Sequence, residues 1–496
     1  MSSKKLVSLT AVLICLCLCC LSAGCISETD SSQSSPVGNA AWADNVKTAL
    51  NDFVMLYGTA SENYDEDSYA VFDFDNTTCI YDIQYQTIYY QMETMSYAMD
   101  PETYSEILKT VLDEQYYDTV DDIIDAYSVL YEKYGPFSPE GISEDLQNTI
   151  KSDPYWQEFA SKTGYLFFDA DVPGENWLFS CMSGMTAEEI YNLTYASCEK
   201  YSSMETQSVT VTGPAELNSR TGQKSHTYTN GLGVTDAVKE LWKVLAENGI
   251  DVWVCSASEV NQVRAAVDCF GLYPYCTGIV AKTFKFDSDG KMLPEYDDET
   301  GIGYLTGENG TWEQSAYYTN ASCSGDGKIS AILNGISPYY HNKTPIAGFM
   351  DSTGDFNFCT EFKSLKLVVC FNRADRGITE GGGLVAAAAM YQQQLGDADL
   401  KSVNAAGDTL YVLQGREENG LRDLRNSNST IRFGDTDEKL FKNENNYRIF
   451  RYITENSMSI ADIMNMFSLK TGADDPENPL GTAYGFLTEY RGYHSI

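Results

Sequence analysis

At 496 residues with 43 % apolar side chains, the chain exceeds the usual size of one lobe and can bury a sizeable core, which excludes a disordered or fibrous protein. Its 71 acidic residues against 33 basic ones give a formal net charge of −38. No basic stripe interrupts that field, which excludes nucleic acid and anionic lipid surfaces as partners and favours a cationic or locally neutralised small molecule.

In chain order, Lys4 and Lys5 precede an apolar run over residues 6–21, and Leu21-Ser22-Ala23-Gly24-Cys25 follows. The run is too short and too early for a stable membrane span. Its end resembles the lipobox of bacterial lipoproteins, which implies removal of residues 1–24 as a signal peptide, lipidation of Cys25 and a body anchored at the membrane outside the cytoplasm. Residues 25–41 are polar and Ser-rich and are expected to form a flexible tether. Five of the 14 cysteines (Cys15, Cys17, Cys19, Cys20, Cys25) belong to this leader. Of the rest, Cys79 and Cys255 are expected as apolar fillers of strands, while Cys269 with Cys276, or Cys181 with Cys198, are candidate pairs in an oxidising compartment. No CxxC or Cys/His cluster among them suggests a structural zinc.

Trp42, Val46, Leu50, Phe53 and Val54 recur at helical spacing, and the body begins there. Next, Ala70-Val71-Phe72 is an apolar run ending in Asp73-Phe74-Asp75-Asn76-Thr77-Thr78. Alternation along a strand puts Asp73 and Asp75 on one side, at the end where open α/β sheets place their chemistry. Two such acids can supply a nucleophile and a proton carrier, with a divalent cation cancelling their repulsion and the substrate's charge.

Residues 83–231 read as a helical insertion rich in Tyr and Trp. Asp100-Pro101 is an N-cap and first-turn pair and Thr186-x-x-Glu189 a capping box, while residues 205–230 alternate weakly as loop or strand. The βα alternation of a parallel sheet returns at Thr235. A helix carrying Val238, Leu241, Trp242 and Leu245 precedes a strand over residues 250–255, which runs into Ser256-Ala257-Ser258 and another helix. Residues 282–322 hold turn-punctuated segments, expected as hairpins or a second small insertion. Gly325-Asp326-Gly327-Lys328 opens a helix, residues 346–350 form a strand ending at Asp351-Ser352-Thr353-Gly354-Asp355, and residues 365–371 form a further strand. An Ala-rich helix, a strand near 409–413 and late helices make 381–496 an extension expected to pack on the core.

Four pieces thus stand in order on βα units: Asp73-x-Asp75-x-Thr77, Ser256, Lys328, and Asp351 with Asp355. Together they resemble the haloacid dehalogenase superfamily of phosphatases over about residues 40–375. The resemblance implies an α/β fold with a Rossmann-like core of residues 42–82 and 232–380, a parallel sheet, and a helical cap of residues 83–231 inserted after the first strand. It implies that Asp73 is a nucleophile forming an aspartyl-phosphate, with Asp75 as general acid and base. Thr77, Ser256 and Lys328 would hold phosphate oxygens, and Asp73, the Asp75 carbonyl, Asp351 and Asp355 would bind Mg²⁺. Family members commonly have glycine where Met350 stands.

Within the superfamily the chain looks most like exported phosphorylcholine phosphatases and the related phosphoserine-phosphatase-type branch, which implies a small phosphomonoester such as phosphocholine. Tyr85, Tyr89, Tyr90 and Trp177 are candidate aromatic faces for a trimethylammonium group, although aromatics at helical spacing equally read as core. The residues leave a second reading open: a lipid-tethered protein that captures a cationic molecule or headgroup without turning it over.

Overall fold

The computed structural model describes residues 36–466, apart from 171, 173–175, 298, 319–322, 375–380, 397–398 and 442–443. The signal peptide, Cys25 and most of the tether lie outside the described residues. The tether ends earlier than expected. Val37 is fully buried and its N–H donates to Asn51 Oδ1 at 2.8 Å, while the Asn39 N–H donates to Glu240 Oε2 at 2.9 Å.

The first strand, β1 (Tyr69–Phe72), is buried along its whole length. Its alternation sorts the core into two layers. Ala70 and Phe72 face the helices Asp44–Tyr57 and Asp236–Glu247, packing with Leu50, Phe53 and Trp242. Tyr69 and Val71 face the opposite layer with Trp253, Met350 and the helix Gly381–Leu395. Phe72 stacks on Phe349 with centroids 3.8 Å apart, and burying such a ring contributes roughly 2–3 kcal/mol. Strands covered on both faces read as near-continuous apolar runs, which is why they are visible in the sequence.

After β1 the chain leaves the core for the helical lobe, which has an apolar cluster of its own that includes Tyr97, Tyr104, Tyr127 and Phe159. Its helices start as predicted: the Thr103 N–H donates to Asp100 Oδ1 at 2.8 Å, and both bonds of the Thr186–Glu189 capping box are present. The weak alternation at 205–230 is a hairpin of β2 (Gln207–Thr212) and β3 (Ser225–Asn230). The two crossings between lobe and core meet in a bridge, the Ile80 N–H donating to Gly233 O at 2.9 Å.

The core then supplies β4 (Asp251–Glu259), β5 (Gly278–Lys282), β6 (Phe284–Phe286), β7 (Met292–Tyr296), β8 (Thr300–Thr306), β9 (Trp312–Tyr318), β10 (Ala347–Met350), β11 (Leu367–Phe371) and β12 (Leu410–Gln414). The central sheet has eight strands in the order β12-β11-β10-β1-β4-β5-β8-β9. The run from β12 to β5 is parallel, and β8 and β9 are antiparallel. The fold is therefore α/β with a Rossmann-like, largely parallel sheet. The segment after 282 forms the hairpins expected of it: β6–β7 buries Phe284 and Met292 in the cap's cluster, and β8–β9 widens the central sheet.

Residues beyond 380 do more than pack on the core, because the fully buried, apolar β12 is a strand of its sheet. It is followed by the short pair β13 (Arg416–Glu417) and β14 (Asp423–Leu424). The nine described cysteines are all free thiols, so neither candidate pairing forms. Cys269 lies against the Cys198 thiol rather than Cys276, and Cys255 Sγ lies 3.7 Å from Cys323 Sγ.

Candidate active site

The carboxyl ends of β10, β1 and β4, neighbours at the middle of the sheet, carry three of the four pieces singled out in the sequence, and a helix brings the fourth, Lys328. β1 ends at Phe72, so Asp73 and Asp75 sit in a turn and strand alternation does not govern them. Phe74 O accepts the N–H groups of Thr78 and Cys79 at 2.9 and 3.0 Å, which winds the turn tightly. Asn76 takes φ 61°, a left-handed conformation that asparagine tolerates better than most side chains.

Lys328 comes from the helix Asp326–Ala331 and is 1 % exposed. Its ammonium donates to Asp73 Oδ1 at 2.5 Å, Asp355 Oδ1 at 2.6 Å and Cys255 O at 2.8 Å, which uses all three donors. Asp355 Oδ2 accepts the N–H groups of Asp351 at 3.3 Å and Ser352 at 3.2 Å, curling the loop after β10. Asp351 accepts from Thr77 Oγ1 at 3.3 Å and from Arg373 Nη1 at 3.1 Å. Met350 keeps an ordinary negative φ and needs no glycine. The close approach that does need one is at Gly382, where a Cβ would lie 2.6 Å from Asp351 O.

Ligand atoms of Asp73, Asp351 and Asp355 lie within 4.8 Å of one another, and all three residues are buried. Three carboxylates face two cations, Lys328 and Arg373, so a negative charge is left without a partner in this buried set. A hard-oxygen donor set with surplus negative charge fits a divalent cation such as Mg²⁺. The electrostatics show the same strain. Burial and the Asp355 carboxylate push the Asp73 pKa well up, with Lys328 working against them. Burial opposes the charged form of Lys328, yet Asp355 and Asp73 outweigh it and raise its pKa.

Asp75 is turned away from this set: its carboxylate accepts the Ile83 N–H at 2.6 Å and the Ser258 hydroxyl. Burial, then Asp82 and Asp73, raises its pKa well above the carboxylate range. Ser256 is fully buried, and its Oγ accepts the Ser258 N–H at 3.1 Å. The structure thus groups Asp73, Thr77, Lys328, Asp351 and Asp355 directly, and joins Asp75 to Ser256 on β4 through Ser258.

Asp82, whose carboxylate acts on that of Asp75, and Ala257, next to Ser256, line a cavity of about 630 Å³. Its walls are aromatic. Tyr89 stacks on Tyr228 with centroids 4.1 Å apart, and Phe168 stacks on His226 at 5.4 Å, whose Nδ1 lies 2.8 Å from Asp169 Oδ2. Of the four candidate aromatics, Tyr85, Tyr89 and Trp177 line it. Tyr90 does not: one residue on from Tyr89, it faces another side of the helix Ile83–Thr94 and takes Lys200 Nζ 5.3 Å from its ring.

Sequence reasoning misses Ser258, Arg373, Asp169 and His226. Ser258 had a signal, since it shares a strand face with Ser256; an arginine that the fold brings half-buried beside an acid loop has none.

No family model and no curated protein matches the sequence. Among solved structures the chain is similar to a conserved functionally unknown protein from Anaerococcus prevotii DSM 20548, at 24 % identity and TM-score 0.61 over 80 % of this chain and 98 % of that one. Weaker likenesses are to cytosolic 5'-nucleotidase IIIB bound to cytidine (14 % identity, TM-score 0.29, 69 % and 85 % covered) and to a phosphoserine phosphohydrolase-like protein from Francisella tularensis subsp. tularensis SCHU S4 (14 %, 0.25, 62 % and 87 %). Those two scores carry no weight for this chain. What the first likeness shows is a shared fold.

Proposed function

We propose that this chain is a phosphomonoester hydrolase acting through an aspartyl-phosphate on Asp73. The observation that carries the reading is the meeting of Asp73, Asp351 and Asp355, from adjoining strand ends, on Lys328 from a helix, with Asp75 in the same turn as Asp73. Lys328 holds Asp73 Oδ1, which leaves Oδ2 to attack phosphorus. The bond from phosphorus to the leaving oxygen breaks, and Asp75 gives that oxygen its proton. Asp75 then takes a proton from the water that attacks the aspartyl-phosphate, which releases phosphate and restores Asp73. Asp73, the Asp75 carbonyl, Asp351 and Asp355 would hold Mg²⁺, which when bound would supply charge neutralisation at the phosphoryl oxygens. Thr77, Ser256 and Lys328 would share in holding them.

The aromatic cavity, with Asp82 and Asp169 on its wall, favours a cationic leaving group such as choline. The lipobox-like leader supports a protein exported and anchored through Cys25. The test is phosphate release with Mg²⁺ from phosphocholine, phosphoethanolamine, phosphoserine and sugar phosphates, by wild type and Asp73→Asn. Near-wild-type turnover by Asp73→Asn removes the nucleophile, and a preference for sugar phosphates removes the cationic leaving group. Choline binding by calorimetry without release from any substrate would make the chain a binder. Palmitate labelling that survives Cys25→Ser removes the anchor.

A further inference from the structure

Arg416, at the start of β13, is 1 % exposed and grips the turn that carries Asp73 and Asp75. Its Nη1 donates to Asn76 O at 2.8 Å and its Nη2 to Asn76 Oδ1 at 3.3 Å. Asn76 is the left-handed residue of that turn, so one guanidinium holds both its backbone and its side chain. Its Nε and Nη2 donate to Glu418 Oε1 at 3.0 and 2.7 Å. A buried ion pair is poor value as packing, because desolvation offsets most of its attraction. What this one provides is a planar fork matched to two acceptors on one residue.

The same segment holds the base of the cap beside its crossings to the core. Arg422 Nη1 donates to Met204 O at 3.0 Å and Thr206 Oγ1 at 3.1 Å, and Nη2 to the carbonyls of Tyr201 and Ser202, each at 3.4 Å. Those residues lead from the cap's last helix, Ala187–Ser202, into β2. On the returning crossing, a Cβ at Gly231 would lie 2.7 Å from Arg422 Nη1. Tyr81, on the outgoing one, donates its hydroxyl to Glu418 O at 3.3 Å. Thr430 accepts the Arg416 N–H at 3.2 Å and donates to Asn372 O at 2.6 Å, next to the Arg373 that holds Asp351.

We propose that residues 416–430 are a brace that sets the nucleophile turn and the cap crossing together, with Arg416 as a positioning residue for Asp73 and Asp75. The catalytic part of this rests on the phosphomonoesterase reading; the geometric part does not. Arg416→Lys keeps the charge opposite Glu418 but loses the fork. The double variant Arg416→Met with Glu418→Gln leaves no buried carboxylate unpaired and guards against a merely unfolded protein. Hydrogen exchange of the full-length protein reads the amides of residues 73–82 and 201–206, against cap-core residues 120–130 as the internal reference.

Both variants should exchange at 73–82 faster by about tenfold or more with the reference unchanged. Turnover of a general phosphomonoester should fall by roughly a hundredfold in kcat with KM little changed, the effect of a misaimed nucleophile. Arg422→Lys should loosen 201–206 instead. Unchanged exchange at 73–82 in both Arg416 variants overturns the brace, and faster exchange with unchanged kcat overturns the positioning role. A wild-type protein that hydrolyses no phosphomonoester defeats the phosphatase reading, while the exchange data still decide the brace.

Discussion

Lys328→Met keeps the buried stem and deletes the charge that separates Asp73 from Asp355. Two unit charges at the 4.8 Å that bounds the carboxylate set repel by about 3.5 kcal/mol at an effective dielectric constant near 20. Removing one partner from a buried ion pair typically costs about 3–5 kcal/mol, which agrees. Proton uptake can discharge part of this, since burial already raises the pKa values of Asp73 and Asp355. In the variant those carboxyls hold protons to higher pH than in the unfolded chain, so its stability falls as pH rises. Urea unfolding in EDTA should therefore show a small loss at pH 5 and about 3–5 kcal/mol at pH 8. Added Mg²⁺ should restore more stability to the variant than to wild type. Equal midpoints and slopes at pH 8 would refute the charge balance drawn for this site.

Ser258→Ala removes the hydroxyl that donates to Asp75 and should lower kcat by roughly tenfold with little change in the unfolding midpoint; unchanged turnover sinks the link. Glu259, fully buried at the N-terminus of the helix Val260–Cys269, has its pKa raised by burial from 4.5 to about 7. The unfolded chain ionises first, so this group removes about 3 kcal/mol of stability as pH climbs from 4.5 to 7 and nothing further above it. Glu259→Gln should flatten that part of the stability profile, and an unaltered slope would show that the carboxyl is not responsible. Asp169→Asn should raise KM roughly tenfold for phosphocholine and leave it near wild type for a neutral phosphomonoester; an equal rise for both would remove Asp169 from selection.

The strands that carry the acids are legible because a parallel sheet buried on both faces needs unbroken apolar runs, and the residues closing those runs are conspicuous. Asp100-Pro101 and Thr186-x-x-Glu189 are legible because caps are local chemistry. β8 and β9 are not, since their half-exposed, turn-rich sequences resemble free-standing hairpins and only pairing with β5 shows them to be sheet. Arg416 lies 340 residues from Asn76, and no neighbour marks it as an arginine that will be buried. Tyr90 shows the limit of composition: it differs from Tyr89 by one step around a helix, and so by a whole face.

The bridge between Ile80 and Gly233 has a consequence for how such a protein can change. The lobe leaves and rejoins the core at adjacent backbone positions, so the core experiences it as a closed loop whose length makes almost no difference to the loop's ends. Pairings such as Phe72 with Val254 and Phe349 stay the same whatever hangs from that point. On the proposed reading, selection of the leaving group and cleavage of the phosphoester would reside in separable modules, the first open to exchange with the second intact.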